Sequence, residues 1–278
     1  MVHKFKPMKC GNLELTFERT LIMGVINVTP DSFSDGGLYV DTEAAIARAK
    51  EMVAQGADII DVGGESTRPG AKPVTFGEEL NRIKPVIQRL APELNIPISV
   101  DTYKPQVAQE AIKAGATIIN DISGLTDKKM IKVAADKKAP VVLMHMKGTP
   151  QNMQENPVYN DVVAEVIAFL KERLTFASDM GVEDMIVDPG IGFGKTVEHN
   201  LQVLRNLGEF RRLKRPILVG PSRKSFIGKL TGLPPSERLE GTLAAVAVAS
   251  LNGANIVRVH DVVECKRVLQ VVDAIRGA

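Results

Sequence analysis

The sequence predicts an α/β protein folded as a (β/α)8 barrel, and three observations carry that prediction. Eight short aliphatic runs alternate with helical patterns along 278 residues. Strands joined by crossover helices must lie parallel and side by side. Four times a helical pattern ends in Gly and passes directly into a β-branched run and then a polar residue. No composition break or linker divides the chain, and α/β barrels commonly run at about 250 residues as one domain. A single domain over residues 1–278 is expected, with residues 1–18 outside the strand count.

Taken in order, residues 3–18 read as a hairpin turning at Gly11-Asn12, placed to plug the N-terminal end of the barrel. The first barrel strand is Leu21–Ile26. In the helix Thr42–Gln55, Ala45, Ile46, Ala49, Met52 and Val53 form one apolar face. The first Gly-to-strand passage is Gln55-Gly56-Ala57-Asp58-Ile59-Ile60-Asp61. The others are Ala114 to Asn120, Met180 to Asp188 and Asn252 to Arg258. Gly at such a junction caps a helix in the left-handed region without a Cβ penalty. Ile96–Val100, Pro140–Met144 and Pro216–Val219 complete the strands. Pro97, Pro140 and Pro216 stand at strand starts, where a missing donor is tolerated. Further helices are expected at Lys104–Ala114, with Pro105 at its first position, and at Asn156–Met180, Thr196–Leu207, Ser236–Leu251 and Val262–Ile275. A short one is expected near Met130–Lys137.

Composition removes several function classes. Lys+Arg number 35 against 33 Asp+Glu, a net +2, so there is no basic stripe for nucleic acid. Aromatics are 4% with no Trp, so the core must be aliphatic and base stacking is not a main activity. Cys10 and Cys265 are too few and too far apart in sequence for a disulfide framework or a metal motif, and a reducing cytoplasmic compartment is the expectation. The first residues lack a signal-peptide core, and no apolar run reaches the ~18 residues of a membrane span.

Barrel active sites lie at the C-terminal strand ends. Those positions hold Asn27, Asp61, Asp101, Asn120 with Asp121, His145, Asp188, Ser222 with Lys224, and Arg258 with His260. Carboxylates and carboxamides converging beside Lys and Arg suit a polar ligand's cage. Two long loops follow the first two barrel strands, residues 27–37 and 66–73. Loops of that length on the active face commonly act as lids. Phe33 on the first loop needs a partner to bury it. Gly190-Ile191-Gly192-Phe193-Gly194-Lys195-Thr196 imitates a phosphate-binding loop, but the first Gly of that pattern would have to replace Pro189. Its glycines suit close approach to a flat ligand instead. The cysteines are read as structural, and His3 and His199 as surface residues.

Ile22 to Gly37, including Asn-Val-Thr-Pro-Asp-Ser-Phe-Ser-Asp-Gly-Gly, resembles the first signature of the dihydropteroate synthases. Gly56 to Pro69 resembles their second, and Ser222-Arg223-Lys224 with Arg258-Val259-His260 their late motifs. The likeness runs from about residue 20 to the C-terminus. It implies condensation of 6-hydroxymethyl-7,8-dihydropterin diphosphate with 4-aminobenzoate, giving 7,8-dihydropteroate and diphosphate, with Mg2+ assisting the leaving group and sulfonamides competing.

The resemblance also assigns roles. Asp188 would accept both donors of the pterin amino edge, with Asn120 and Lys224 on the mixed edges. Asp101 would lie against the dihydro ring, Arg258 would stack on it, and Met144 and Phe193 would supply apolar contact. Asn27 would offer Mg2+ a hard oxygen, and Arg68, Arg258 and His260 would bind diphosphate. Asp31 and Asp35 could assist from loop one. Thr67, Pro69, Phe33, Phe193, Lys224 and Ser225 would form the aminobenzoate pocket. No nucleophile is poised beside a base, which favours an SN1-like path through a pterin methyl cation stabilised by Asp101. A pterin-dependent corrinoid methyltransferase would share the cage but not the loop-one pattern with Ser222-Arg223-Lys224. A silent pterin-binding barrel would not require Asn27, Arg68 and Asp101. The helix Ser236–Leu251 is apolar nearly all round, as a homodimer interface would require, with coverage by neighbouring helices as the alternative.

Overall fold

The structure, a computed structural model, describes residues 5–29 and 37–277. A hairpin of β1 (Met8–Cys10) and β2 (Leu13–Leu15) opens the chain and turns at Gly11-Asn12, as expected. Eight parallel strands follow: β3 (Leu21–Asn27), β4 (Ile59–Gly63), β5 (Ile98–Asp101), β6 (Ile118–Asp121), β7 (Val141–Met144), β8 (Met185–Asp188), β9 (Leu218–Val219) and β10 (Ile256–Val259). Neighbours in the sheet run β8-β7-β6-β5-β4-β3-β10-β9. A single parallel bridge, Val187 to Ile217, joins the two ends and brings the sheet round into a barrel. The expected (β/α)8 architecture is what the chain adopts.

Helices pack outside: α1 (Gly37–Gln55), α2 (Phe76–Leu90), α3 (Pro105–Ala114), α4 (Lys128–Lys137), α5 (Val162–Asp179), α6 (Val197–Arg205), α7 (Ser225–Thr231), α8 (Leu239–Leu251) and α9 (Val262–Gly277). The four junction glycines, Gly56, Gly115, Gly181 and Gly253, all take positive φ, between 92° and 118°. The Gly115 N–H donates to Ile112 O at 3.1 Å, the capping bond this conformation permits. Two helices were not anticipated. α2 carries Pro85 inside it, which reads as a breaker, and α7 has only seven residues. α5 begins at Val162 and not Asn156, because the Asp161 carboxylate accepts from the Ala164 N–H at 3.0 Å and sets the cap there.

Strand periodicity divides the interior into tiers. The lowest inward residues are Met23, Ile59, Ile118, Val142, Ile186, Leu218 and Ile256. Met8, Cys10, Leu15 and Phe17 of the hairpin segment close this tier from below in one apolar cluster. Two residues further along the same strands stand Val25, Asp61, Asn120, Met144, Asp188, Gly220 and Arg258. This floor is an apolar cluster; on β5 the inward residue in register with Ile118 is the buried Ser99, and Asp101 follows it two residues on. Alternate strand residues face outward into the main core against the helices.

Candidate active site

The second tier assembles around Arg258. Its Nε donates to Asp61 Oδ2 at 2.6 Å and its Nη2 to Asp101 Oδ2 at 2.6 Å. Asn120 Nδ2 donates to the same Asp61 oxygen at 3.1 Å. Asp61, Asp101 and Asn120 are all buried. Asp101 and Asn120 pair directly across β5 and β6, and Asn27 and Asp101 each pair with Gly63 from the two sides of β4. Gly63 leaves room, since a Cβ there would meet Asp101 Cβ at 3.3 Å. The Oδ1 atoms of Asp61 and Asp101 are buried without a hydrogen-bond partner among the described residues. Leaving such acceptors unpaired costs about 1–3 kcal/mol each, which a ligand donor can recover.

Burial governs the charges. It raises the Asp101 carboxyl well above the usual range, opposed by Arg258 and reinforced by Asp61. Burial works against the Arg258 cation, but Asp61 and Asp101 outweigh it and its pKa rises. Burial pushes Asp188 up to about 6, although the Gly190 N–H donates to its Oδ1 at 2.7 Å. Lys224 is pushed down to about 8, by burial and then by the Arg258 charge. Its Nζ stands 4.1 Å from the centre of the Phe193 ring. Phe193, Met144, Ile122 and Met153 form a buried apolar platform with Tyr103 and Met146 against it. Asp188 pairs with Met144 across β7 and β8, so carboxylate and platform share one level. Of the strand-end residues named from sequence, Asp61, Asp101, Asn120 and Arg258 are thus bonded together, with Asp188 and Lys224 close enough to act on their charges.

Some expected residues do other work. The Asp121 carboxylate accepts from the Ser123 and Leu125 N–H groups at 2.7 and 3.0 Å and shapes a turn. Ser222 Oγ and His260 Nδ1 lie 2.9 Å apart. Burial, then the Arg258 charge, lowers the His260 pKa to about 4, so the ring is neutral at pH 7 and offers no charge to a phosphate. Arg223 takes positive φ and gives two bonds, 3.0 and 2.6 Å, to Asp261. Ser225 is exposed at the first turn of α7. His199 is not simply a surface residue. It is half-buried in the cap of α6, with its ring edge-on to Tyr159 at 4.9 Å. Asp31, Phe33, Asp35 and His3 lie outside the described residues.

Loop two is anchored by a network that sequence reading missed. Glu65 is buried and accepts from Tyr103 OH at 2.7 Å, from the Val74 N–H at 3.1 Å and from Lys104 Nζ. Lys104 also reaches Glu79 of α2. The carboxylate therefore clamps both ends of the loop that carries Thr67, Arg68 and Pro69. Thr67 is half-buried, while Arg68 and Pro69 are exposed. The signal was faint: Glu65 sits between the strand end and Ser66, where a polar residue passes as loop.

A tier of buried carboxylates and half-buried cations above an apolar floor, beside an apolar shelf, defines a barrel enzyme for a flat polar heterocycle. The family described as pterin binding enzyme matches residues 23–260. A dihydropteroate synthase of Synechocystis sp. is 51% identical over 262 residues, 93% of this chain and 91% of that one. The Yersinia pestis dihydropteroate synthase, solved with a sulfonamide drug complex, superposes at a TM-score of 0.94 with 42% identity, covering 98% of this chain and 100% of that one. The Xanthomonas albilineans enzyme in complex with 7,8-dihydropteroate gives 0.90 and 42%, covering 98% and 100%. The chain belongs to the dihydropteroate synthases among the pterin-binding enzymes.

Proposed function

We propose that the chain joins 6-hydroxymethyl-7,8-dihydropterin diphosphate to 4-aminobenzoate, releasing diphosphate and forming the 7,8-dihydropteroate used in folate synthesis. Family membership supports this transferase activity and competition by sulfonamides at the aminobenzoate site. The observation that carries the site reading is the tier of buried Asp61, Asp101 and Asn120 around Arg258, with two carboxylate oxygens left for a ligand's donors.

In this reading Asp188 accepts the pterin amino and ring N–H donors, and Asn120 and Lys224 take the remaining polar edge. Arg258 is held edge-on by two carboxylates, so its flat face is what remains to stack on the ring. Met144 and Phe193 provide the apolar side. Arg68, on the exposed loop, supplies charge to the diphosphate, with Arg258 behind it. His260 contributes as a neutral hydrogen-bonding group. Thr67, Pro69, Phe33, Phe193, Lys224 and Ser225 hold aminobenzoate.

The described residues contain no cluster of three or more His, Cys, Asp or Glu fit to cage a metal. Asn27, half-buried at the end of β3, offers one hard oxygen, which suits an ion that keeps waters and phosphate oxygens. Asn27 would thus hold Mg2+ arriving with the diphosphate, and the ion would neutralise charge on the leaving group.

The C–O bond to diphosphate breaks first, leaving a pterin methyl cation facing Asp101. The neutral aminobenzoate nitrogen then forms the new C–N bond and loses its proton to solvent. A carboxylate fixed beside a developing cation stabilises it without reorganising. A homodimer through α8 and a cytoplasmic setting complete the reading; both cysteines are free and buried, as a reducing compartment allows. No described helix is long and apolar enough to cross a membrane.

A coupled diphosphate-release assay tests the whole. Release should accelerate with 4-aminobenzoate and continue slowly without it; strict dependence on the amine would replace the dissociative path with direct displacement. Asp101→Asn should keep pterin binding and lose turnover by about a hundredfold or more. Undiminished turnover removes the cation role.

A further inference from the structure

The loop that imitates a phosphate-binding motif turns its lysine inward. Lys195 is buried, and its Nζ lies 2.9 Å from His145 Nδ1, 3.0 Å from Gly190 O and 3.1 Å from Phe193 O. Burial, opposed by Asp188, lowers the Lys195 pKa to about 7; as an ammonium it offers three N–H donors to these three acceptors. For His145 Nδ1 to accept, the imidazole must be neutral with its proton on Nε2. Burial, followed by the Lys195 charge, lowers its pKa to about 3 and keeps it so.

The rest of the loop is braced in the same sense. Tyr159 OH donates to Gly194 O at 2.7 Å, and Gln154 Nε2 to Gly192 O at 2.9 Å. Asn200 Oδ1 accepts from the Gly192 N–H at 2.7 Å. The path needs glycine: at Gly190 a Cβ would come within 1.8 Å of His145 O. Two parts of the segment face the site. One is the Gly190 N–H on Asp188, and the other is the Phe193 ring under Lys224. Lys195 binds the carbonyls of those same two residues.

We propose that Lys195 is a positioning residue for substrate recognition: by tying Gly190 O, Phe193 O and His145 together, it sets the Asp188 carboxylate and the Phe193 ring at once. The inference rests on the assignment of Asp188 and Phe193 to the substrates. It extends the site to a lysine that touches neither of them.

Lys195→Met keeps the chain length of the side chain and removes the three donors. Calorimetric titration with 6-hydroxymethylpterin should show affinity falling about tenfold or more, and KM for both substrates should rise, with kcat on the folded fraction changed less than KM. A merely structural lysine would lower the active fraction and leave pterin affinity and both KM values as they were, which overturns the proposal. Should Lys195→Met not fold, His145 supplies the test. His145→Asn can place an amide oxygen where Nδ1 stood and should stay within about threefold of the parent, while His145→Leu should weaken pterin binding about tenfold. Equal behaviour of the two variants overturns it. A parent protein that binds pterin but forms no dihydropteroate would sink the transferase reading and leave the positioning role standing.

Discussion

A carboxylate that accepts two ligand donors must be ionised to do so, and Asp188 sits near that limit. Burial is the larger influence and raises its pKa to about 6, against the bond from Gly190 N–H. The sign follows directly: above that pH the carboxylate is ready, and below it a proton occupies the acceptor. One pH unit below its pKa about a tenth of the sites are ionised. Pterin affinity should therefore be level near pH 7.5 and about tenfold weaker at pH 5, with proton release on binding below pH 6. Calorimetry in buffers of differing ionisation enthalpy reads both. Flat affinity across that range would remove Asp188 as the ionised acceptor. Asp188, Asp101, Asn120 and Arg258 were legible because each ends a barrel strand, where topology alone puts polar residues into a site. Lys224 was legible by its place in the late motif. Asp61 was visible at a strand end, but its hold on Arg258 was not, since that bond joins positions 197 residues apart. Glu65 and Lys195 were illegible for a like reason: their side-chain partners, Tyr103 and Lys104 for the one and His145 for the other, stand 38 or more residues away.

At the scale of elements, the hairpin shows how a short segment can matter without reaching the mouth. Three-residue strands are marginal alone, so β1 and β2 persist because the barrel floor covers their apolar side. Phe17 is 4% exposed within that cluster, and its ring meets Phe5 edge-on at 5.9 Å. Phe17→Ala should cost about 3–5 kcal/mol, read by denaturant unfolding. Both KM values should hold, because the floor lies beneath the polar tier. A change in KM with little loss of stability would mean that floor and site are coupled. Element boundaries tracked the strength of local signals. The Gly-capped helices α1, α3 and α5 ended where their glycines required. α2 was hidden by Pro85, although Thr75 caps it and Ile83, Val86, Ile87 and Leu90 recur at helical spacing, and α7 was hidden by its brevity.

For the whole molecule, the net charge of +2 conceals a sorted interior in which Asp61, Asp101 and Asp188 share one mouth with Arg258 and Lys224. The outer surface carries a sorting of its own. On α8, Ala244, Val248 and Leu251 recur at helical spacing on the exposed side, while Ala245, Val246 and Ala249 are buried toward the barrel. Neighbouring α9 exposes Val271 and Ile275. Val248 and Leu251 are 43% and 47% exposed, Val271 and Ile275 60% and 62%. The all-round apolar character of α8 is thus only half explained by the barrel, and the alternative of coverage by neighbouring helices leaves these side chains bare. A second copy presenting the same stripe would cover them, since a two-fold interface is self-complementary. A stable interface buries about 800 Å² per partner, within reach of two adjacent helices. Sedimentation at micromolar concentration should give a dimer. Val248→Asp with Val271→Asp should give a folded monomer, because each new charge would be buried unpaired against its symmetry mate. A parent protein that sediments as a monomer would leave the stripe to a different occupant.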